Sequence, residues 1–275
     1  MISFLIKKTL FDLWDNSIRI ILLNVGFVFS LSIPLFISPM LEFIPVLEMA
    51  VFVLGILWLG VYFLAASYSL KAVSDYGSFG FGDFKNNLKI TWPIGLAFGL
   101  VLLLGYLLCA VVIPFYLGMK SIAGLLLAAS VFWILVVSVL ALQFFSAIRA
   151  RLDTRFIKIV KKCFIIFLDN PLFSIFALFH NMFLLAISVL SAFIFPGLSG
   201  VLLFLDEGLR LRLFKYDWLE TSAAAGSDVK LGANVAPNAS SRTGKNQIPW
   251  DTILAEEREK TGTRSLKNLI FPWKE

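Results

Sequence analysis

The sequence predicts an all-α fold: a polytopic transmembrane helical bundle of about six spans, in a pattern that also fits three repeats of an amphipathic elbow helix plus a transmembrane hairpin. Three observations predict it. Hydrophobic residues make up 59% of the chain and charged residues 15%, where soluble domains carry about 25% charged residues. The charges are segregated: residues 94–119 and 122–145 contain none. Lysine and arginine alternate between rich and poor loops, which is how membrane proteins encode orientation.

A spanning helix needs about 20 apolar residues, because it rises ~1.5 Å per residue across a hydrocarbon core ~30 Å thick. Residues 20–37, 46–70, 94–117, 122–145 and 172–195 approach or exceed this length. A sixth run, 197–214, is marginal, since Asp206, Glu207, Arg210 and Arg212 fall inside it. The opening residues lack the basic, apolar, small-residue order of a cleaved leader, so the first span is expected to be an uncleaved anchor. Lys7, Lys8 and Arg19 precede or begin it. The first loop has no cation, the second has Lys71, Lys85 and Lys89, and the third only Lys120. The fourth is the most basic, and the turn at 196–200 has none. Positive loops stay in the cytoplasm. The expected topology is therefore six membrane crossings with both termini inside.

The fourth loop carries its own pattern. Arg151, Arg155, Lys158 and Lys162 follow i, i+4, i+7, i+11 spacing and would share one face of a helix. Phe156, Ile159, Val160, Cys163, Phe164 and Phe167 cover the other side. Such a helix lies on a membrane surface and meets anionic head groups. Three aromatic stretches end in asparagine and precede a hydrophobic hairpin: FDLWDN at 11–16, FGDFKNN at 81–87 and FIIFLDN at 164–170. The first span of each hairpin ends near a proline, at Pro34, Pro114 and Pro196. This is the basis of the elbow-and-hairpin repeat, although interface preferences for aromatics, Asn and Pro would give the same pattern. The chain divides into a membrane domain (1–219), a flexible linker (220–247) rich in Ala, Gly, Ser and Asn, and a cytoplasmic tail (248–275) with a short amphipathic helix. Trp250, Leu254, Leu269, Phe271 and Trp273 make the tail a candidate docking segment for a membrane-protein partner.

One family resemblance rests on the first two hairpins. Asn16 and Asn24 stand at the first span, and a proline-bearing turn follows at 33–45. The second span closes on AASYSL at 65–70. The next loop has Asp83 and Phe84, then Lys85, Lys89 and Trp92. The pattern resembles the YesL-like family of bacterial membrane proteins over roughly residues 10–219. The family has no established biochemical activity. The resemblance implies an association with carbohydrate uptake.

Polar residues at membrane depth are functional candidates because burying them in lipid is costly. His180 lies ~14 Å into the fifth span by helical rise, with Asn181 beside it. They read either as a relay or substrate contact, or as groups bonding neighbouring helices. Asp206, Glu207 and Arg210 fall on one helix face and read either as a polar cavity mouth or as a locally neutralised cluster. Asn24 and Gln143 suit inter-helix hydrogen bonds, and Gly95 and Gly99 suit close helix packing. No catalytic motif is present. The single histidine and two separated cysteines give no expectation of a metal site, cofactor or disulfide framework. The charge distribution points to membrane orientation, with no nucleic-acid surface. The expectation is a non-enzymatic accessory or assembly partner of a membrane system such as carbohydrate uptake. The alternative is a small transporter or channel with a polar path near His180 and Asp206, and a lipid-acting enzyme at the basic loop has the least support.

Overall fold

The computed structural model describes residues 1–232 and 250–261. All regular structure among them is helical. Five helical segments are long and apolar enough to cross a membrane, and they mark the chain as an integral membrane protein. Their bounds are Ser17–Leu41, Pro45–Ser74, Phe81–Gly118, Ile122–Arg151 and Pro171–Leu190. Contacts divide the chain into two units. One joins Met1–Phe11 to Glu207 and beyond; the other is Asp12–Asp206 and holds all five spans.

The chain opens with α1 (Ile2–Asp15), an elbow helix that breaks at Asn16. The first span is α2 (Ser17–Ser32). It widens into a π-turn at Ile33–Ile37 around Pro34. Proline removes a backbone donor and crowds the carbonyl one turn back, and a wider turn relieves that crowding. The return span is α3 (Pro45–Ser74). Next, α4 (Phe81–Leu107) begins at the basic loop and enters its span without interruption. The middle copy of the elbow pattern is therefore continuous with its hairpin, unlike the first. A second π-turn, Leu108–Val112, immediately precedes Pro114 in α5 (Ile113–Gly118). The chain returns through α6 (Ile122–Leu142), where the Ser121 side chain accepts from the Gly124 amide and caps the helix.

The fourth loop folds into α7 (Phe145–Arg151) and α8 (Phe156–Asp169), separated by a turn. The second elbow break comes at Asn170, before α9 (Pro171–Leu190). Last comes α10 (Gly197–Gly232), then two short helices, α11 (Trp250–Ile253) and α12 (Ala255–Thr261). The stretch expected as linker starts inside α10, which stays helical to Gly232; residues 233–249 lie outside the described residues.

The sixth hydrophobic run behaves unlike the other five. Residues 196–211 are buried except Leu198 and Arg210, which are partly so. Leu202 and Leu203 belong to the core of the larger unit, with Leu13, Ile20, Leu23, Tyr62, Leu70 and Val73. The surfaces of α4 and α6, by contrast, are open. Only 11% of the most apolar stretch of the third span is buried, against 44% for α3. Leu100, Leu104 and Phe115 on one segment and Leu126, Trp133 and Ile134 on the other face outward, as lipid-facing residues do.

The closest helix pair is α3 against α4. A Cβ on Gly60 would come within 2.5 Å of the Gly95 carbonyl and the Gly99 amide nitrogen. One on Gly99 would meet the Leu57 backbone at 2.7 Å. The Gly95/Gly99 pair thus packs against its own hairpin partner, and Gly60 is the complementary residue. Gly60→Val is expected to lower stability by about 3 kcal/mol or more, because the overpacking falls on backbone that cannot move aside. A denaturation midpoint in mixed micelles unchanged from wild type would contradict this packing.

Candidate functional site

Buried polar residues form a small network within each of the two units. In the larger unit the centre is Arg151, the last residue of α7. Its Nε and Nη2 donate to Oδ1 and Oδ2 of Asp206, at 2.9 and 2.5 Å. Nη2 also donates to Ser74 Oγ at 2.9 Å, and Nη1 to Asp75 Oδ1 at 3.0 Å. Asp206 is fully buried and Arg151 nearly so. The fork geometry of a guanidinium suits this double carboxylate contact.

This corrects the expected basic face. Arg151 does not continue the stripe of Arg155, Lys158 and Lys162 on a lipid-facing helix. The helix breaks at Leu152, because Asp153 Oδ1 turns the chain by accepting from the amides of Thr154 and Arg155. Those hydrogen bonds, the one from Arg155 first, hold the Asp153 carboxyl below its ordinary range, and Lys162 adds to the effect from 3.4 Å. Asp-Thr between two arginines was the sequence signal for this break. The remaining cations stay on α8, with Arg155 at its N-cap. Ile159, Cys163 and Ile166 are buried on one side of α8, while Ile157, Ile165 and Leu168 are exposed. Burial pushes the Cys163 thiol up to about 12, so it stays protonated and inert at neutral pH.

The Asp206–Glu207–Arg210 cluster is also corrected. Asp206 pairs with Arg151 rather than Arg210. In the smaller unit, Glu207 Oε1 lies 3.3 Å from Lys8 Nζ and Oε2 accepts from the Thr9 hydroxyl at 2.5 Å, with all three residues buried. Arg210 Nη2 donates to Glu257 Oε1 at 2.7 Å. Leu254 is completely buried, so this candidate docking residue is used within the chain. Trp250 is half-buried at the start of α11. Leu269, Phe271 and Trp273 lie outside the described residues. Lys8, Thr9, Ser74, Asp75 and Glu257 carry no spacing signal that would have selected them, because their partners are remote in sequence.

Asn24 is a clamp. It is fully buried, and its Nδ2 donates to the carbonyls of Ile194 and Pro196, at 2.9 and 2.7 Å. Its Oδ1 accepts from the Ser199 amide at 2.9 Å. Ser188 Oγ accepts from the Gly197 amide, and Ser191 Oγ accepts from the Phe195 amide. The Phe195–Pro196 peptide is cis, and Gly197 has φ +58°. These contacts fix the turn joining α9 to α10.

His180 and Asn181 take no part in either network. The His180 ring stacks on Phe204, with centroids 3.9 Å apart, and lies near Phe176. His180 Nδ1 and Asn181 Oδ1 are buried without a hydrogen-bond partner among the described residues. No chain of hydrogen bonds links His180 to Asp206 among those residues. Gln143 Nε2 bridges to the Ser174 carbonyl on α9 at 2.9 Å.

Among the described residues no group of three or more His, Cys, Asp or Glu side chains could hold a metal ion. The arrangement joins helix to helix through charge and amide contacts. Comparison with family profiles, curated proteins and solved structures yields no match to this chain.

Proposed function

We propose that this chain is a non-enzymatic accessory subunit that assembles with another membrane protein through the open face of its α4–α6 hairpin. The supporting observation is the contrast within the larger unit. Asn24, Gln143, Arg151 and Asp206 join helix to helix, while α4 and α6 present large apolar side chains outward. Where helices pack only against lipid or a partner helix, such a surface is where an assembly contact forms. The resemblance to YesL-like proteins puts that partner in carbohydrate uptake. The chain sits in a bacterial inner membrane with both termini cytoplasmic, and α10 makes the sixth crossing. Support for that crossing is twofold: α10 is long enough, and its acids at 206 and 207 are neutralised by partners inside the protein.

The test is site-specific photocrosslinking in native membranes, with the probe at Leu100 or Trp133, or at the buried control Leu64. The outer positions should give one heteromeric adduct of the same mass, with none from the control. Only lipid or self-adducts at both outer positions would defeat the proposal. Labelling of introduced cysteines reads topology in the same cells: Lys120→Cys should react from outside and Lys158→Cys should not.

A further inference from the structure

Arg149 is a buried cation with no anion beside it among the described residues. It is 5% exposed, and its Nε is buried without a hydrogen-bond partner. No ion pair to its side chain forms among the described residues. Its guanidinium carbon lies 5.5 Å from the centroid of the Tyr68 ring. A second cation shares that ring: Lys71 Nζ is 5.9 Å from the centroid and donates to the Ala150 carbonyl at 3.0 Å. The nearby acids do not answer these charges, since Arg151 binds both Asp75 and Asp206. A buried charge left without a counter-ion is strongly unfavourable. Tyr68 and Lys71 are only half-buried, so the cluster can be reached from outside.

An apolar cavity lies beside it. Phe63, Phe98, Leu104, Gly105, Leu135 and Gln143 are among the residues around a space of about 410 Å³. Phe98 stacks on Phe145 with centroids 4.6 Å apart, and Phe145 is one helical turn before Arg149. On α3, Phe63 is five residues before Tyr68, or ~7.5 Å by helical rise. The cation pair and the cavity wall are thus linked through the Phe98–Phe145 stack, with Arg149 one turn beyond it on α7. The cavity is bounded by spanning helices, so what fills it comes from the bilayer.

We propose that this is a binding site for one anionic phospholipid, its phosphate held by Arg149 and Lys71 and one acyl chain in the cavity between α4 and α6. Charge-assisted hydrogen bonds from guanidinium and ammonium to phosphate supply the selectivity. The site differs from the exposed cations of α8, which any anionic surface attracts.

Native mass spectrometry of the full chain, titrated with dioleoyl phosphatidylglycerol, dioleoyl phosphatidylcholine or inorganic phosphate, tests this. One phosphatidylglycerol should bind in preference to phosphatidylcholine. Arg149→Gln and Lys71→Gln should each weaken it about tenfold. Gly105→Leu should weaken it as well. A Cβ at Gly105 meets nothing within 4 Å, so that variant occupies the cavity without straining the fold and still decides the matter if Arg149→Gln fails to fold. Lys158→Gln should leave the tight site unchanged. Equal binding of both lipids, an equal loss with Lys158→Gln, or unaltered affinity in Gly105→Leu would overturn the proposal. So would displacement of the lipid by millimolar inorganic phosphate, which would mean a headgroup-sized anion site without the acyl pocket.

Discussion

Arg151→Ala is expected to be the most damaging substitution at the α7 end of the larger unit, with a loss of about 3–5 kcal/mol. The reason is what it leaves behind. Asp206 is fully buried, and it loses the two hydrogen bonds and the charge that offset its removal from water. The reverse change, Asp206→Ala, should cost less, because Arg151 keeps Asp75 and Ser74 as partners. Arg151→Lys should fall between them, since an ammonium cannot form the two-pronged contact. The double variant Arg151→Ala/Asp206→Ala should be more stable than Arg151→Ala alone, giving a favourable coupling term in a double-mutant cycle. The measurement is unfolding in mixed micelles, followed by circular dichroism. Equal losses from the two single variants, or strict additivity, would show that the contact is not the one that holds the end of α7.

Asn24→Leu is expected to cost about 3 kcal/mol or more, although leucine has nearly the same size. Two carbonyls and an amide in the 194–199 turn lose their partner together, and each buried orphan costs ~1–3 kcal/mol. Gly197→Ala should be as harmful by another route. Its backbone is left-handed, and a Cβ there would lie 2.4 Å from the Asn24 amide. Hydrogen exchange should speed up across residues 191–200 in both variants, with α3 unaffected. Exchange that stays slow in that turn for Asn24→Leu would mean that the clamp is dispensable.

The sequence made the spans legible because lipid imposes a simple requirement: long stretches without charge. The five long runs match five helices in order. It was less informative where protein takes the place of lipid. The 197–214 run looks marginal by hydropathy because it faces other helices rather than acyl chains, so charged partners are available to it. Periodicity also names neighbours on one helix only. It put Asp206 with Arg210 at four residues, whereas the partner is Arg151, on a different helix. It carried Arg151 into the basic face of α8 because the Asp153 turn was read through as helix. Asn24 was legible as a bonding residue, since an amide on an apolar helix needs a partner, but the turn it binds lies 170 residues away and no local pattern announces it.

The charges of α10 have a consequence for how the protein is made. A helix released from the ribosome into lipid on its own would carry Asp206 and Glu207 unpaired, which lipid penalises. Their partners, Arg151 and Lys8, lie earlier in the chain and are synthesised first. The final helix therefore finds the counter-charges for its two buried acids on α1 and α7, which are synthesised before it.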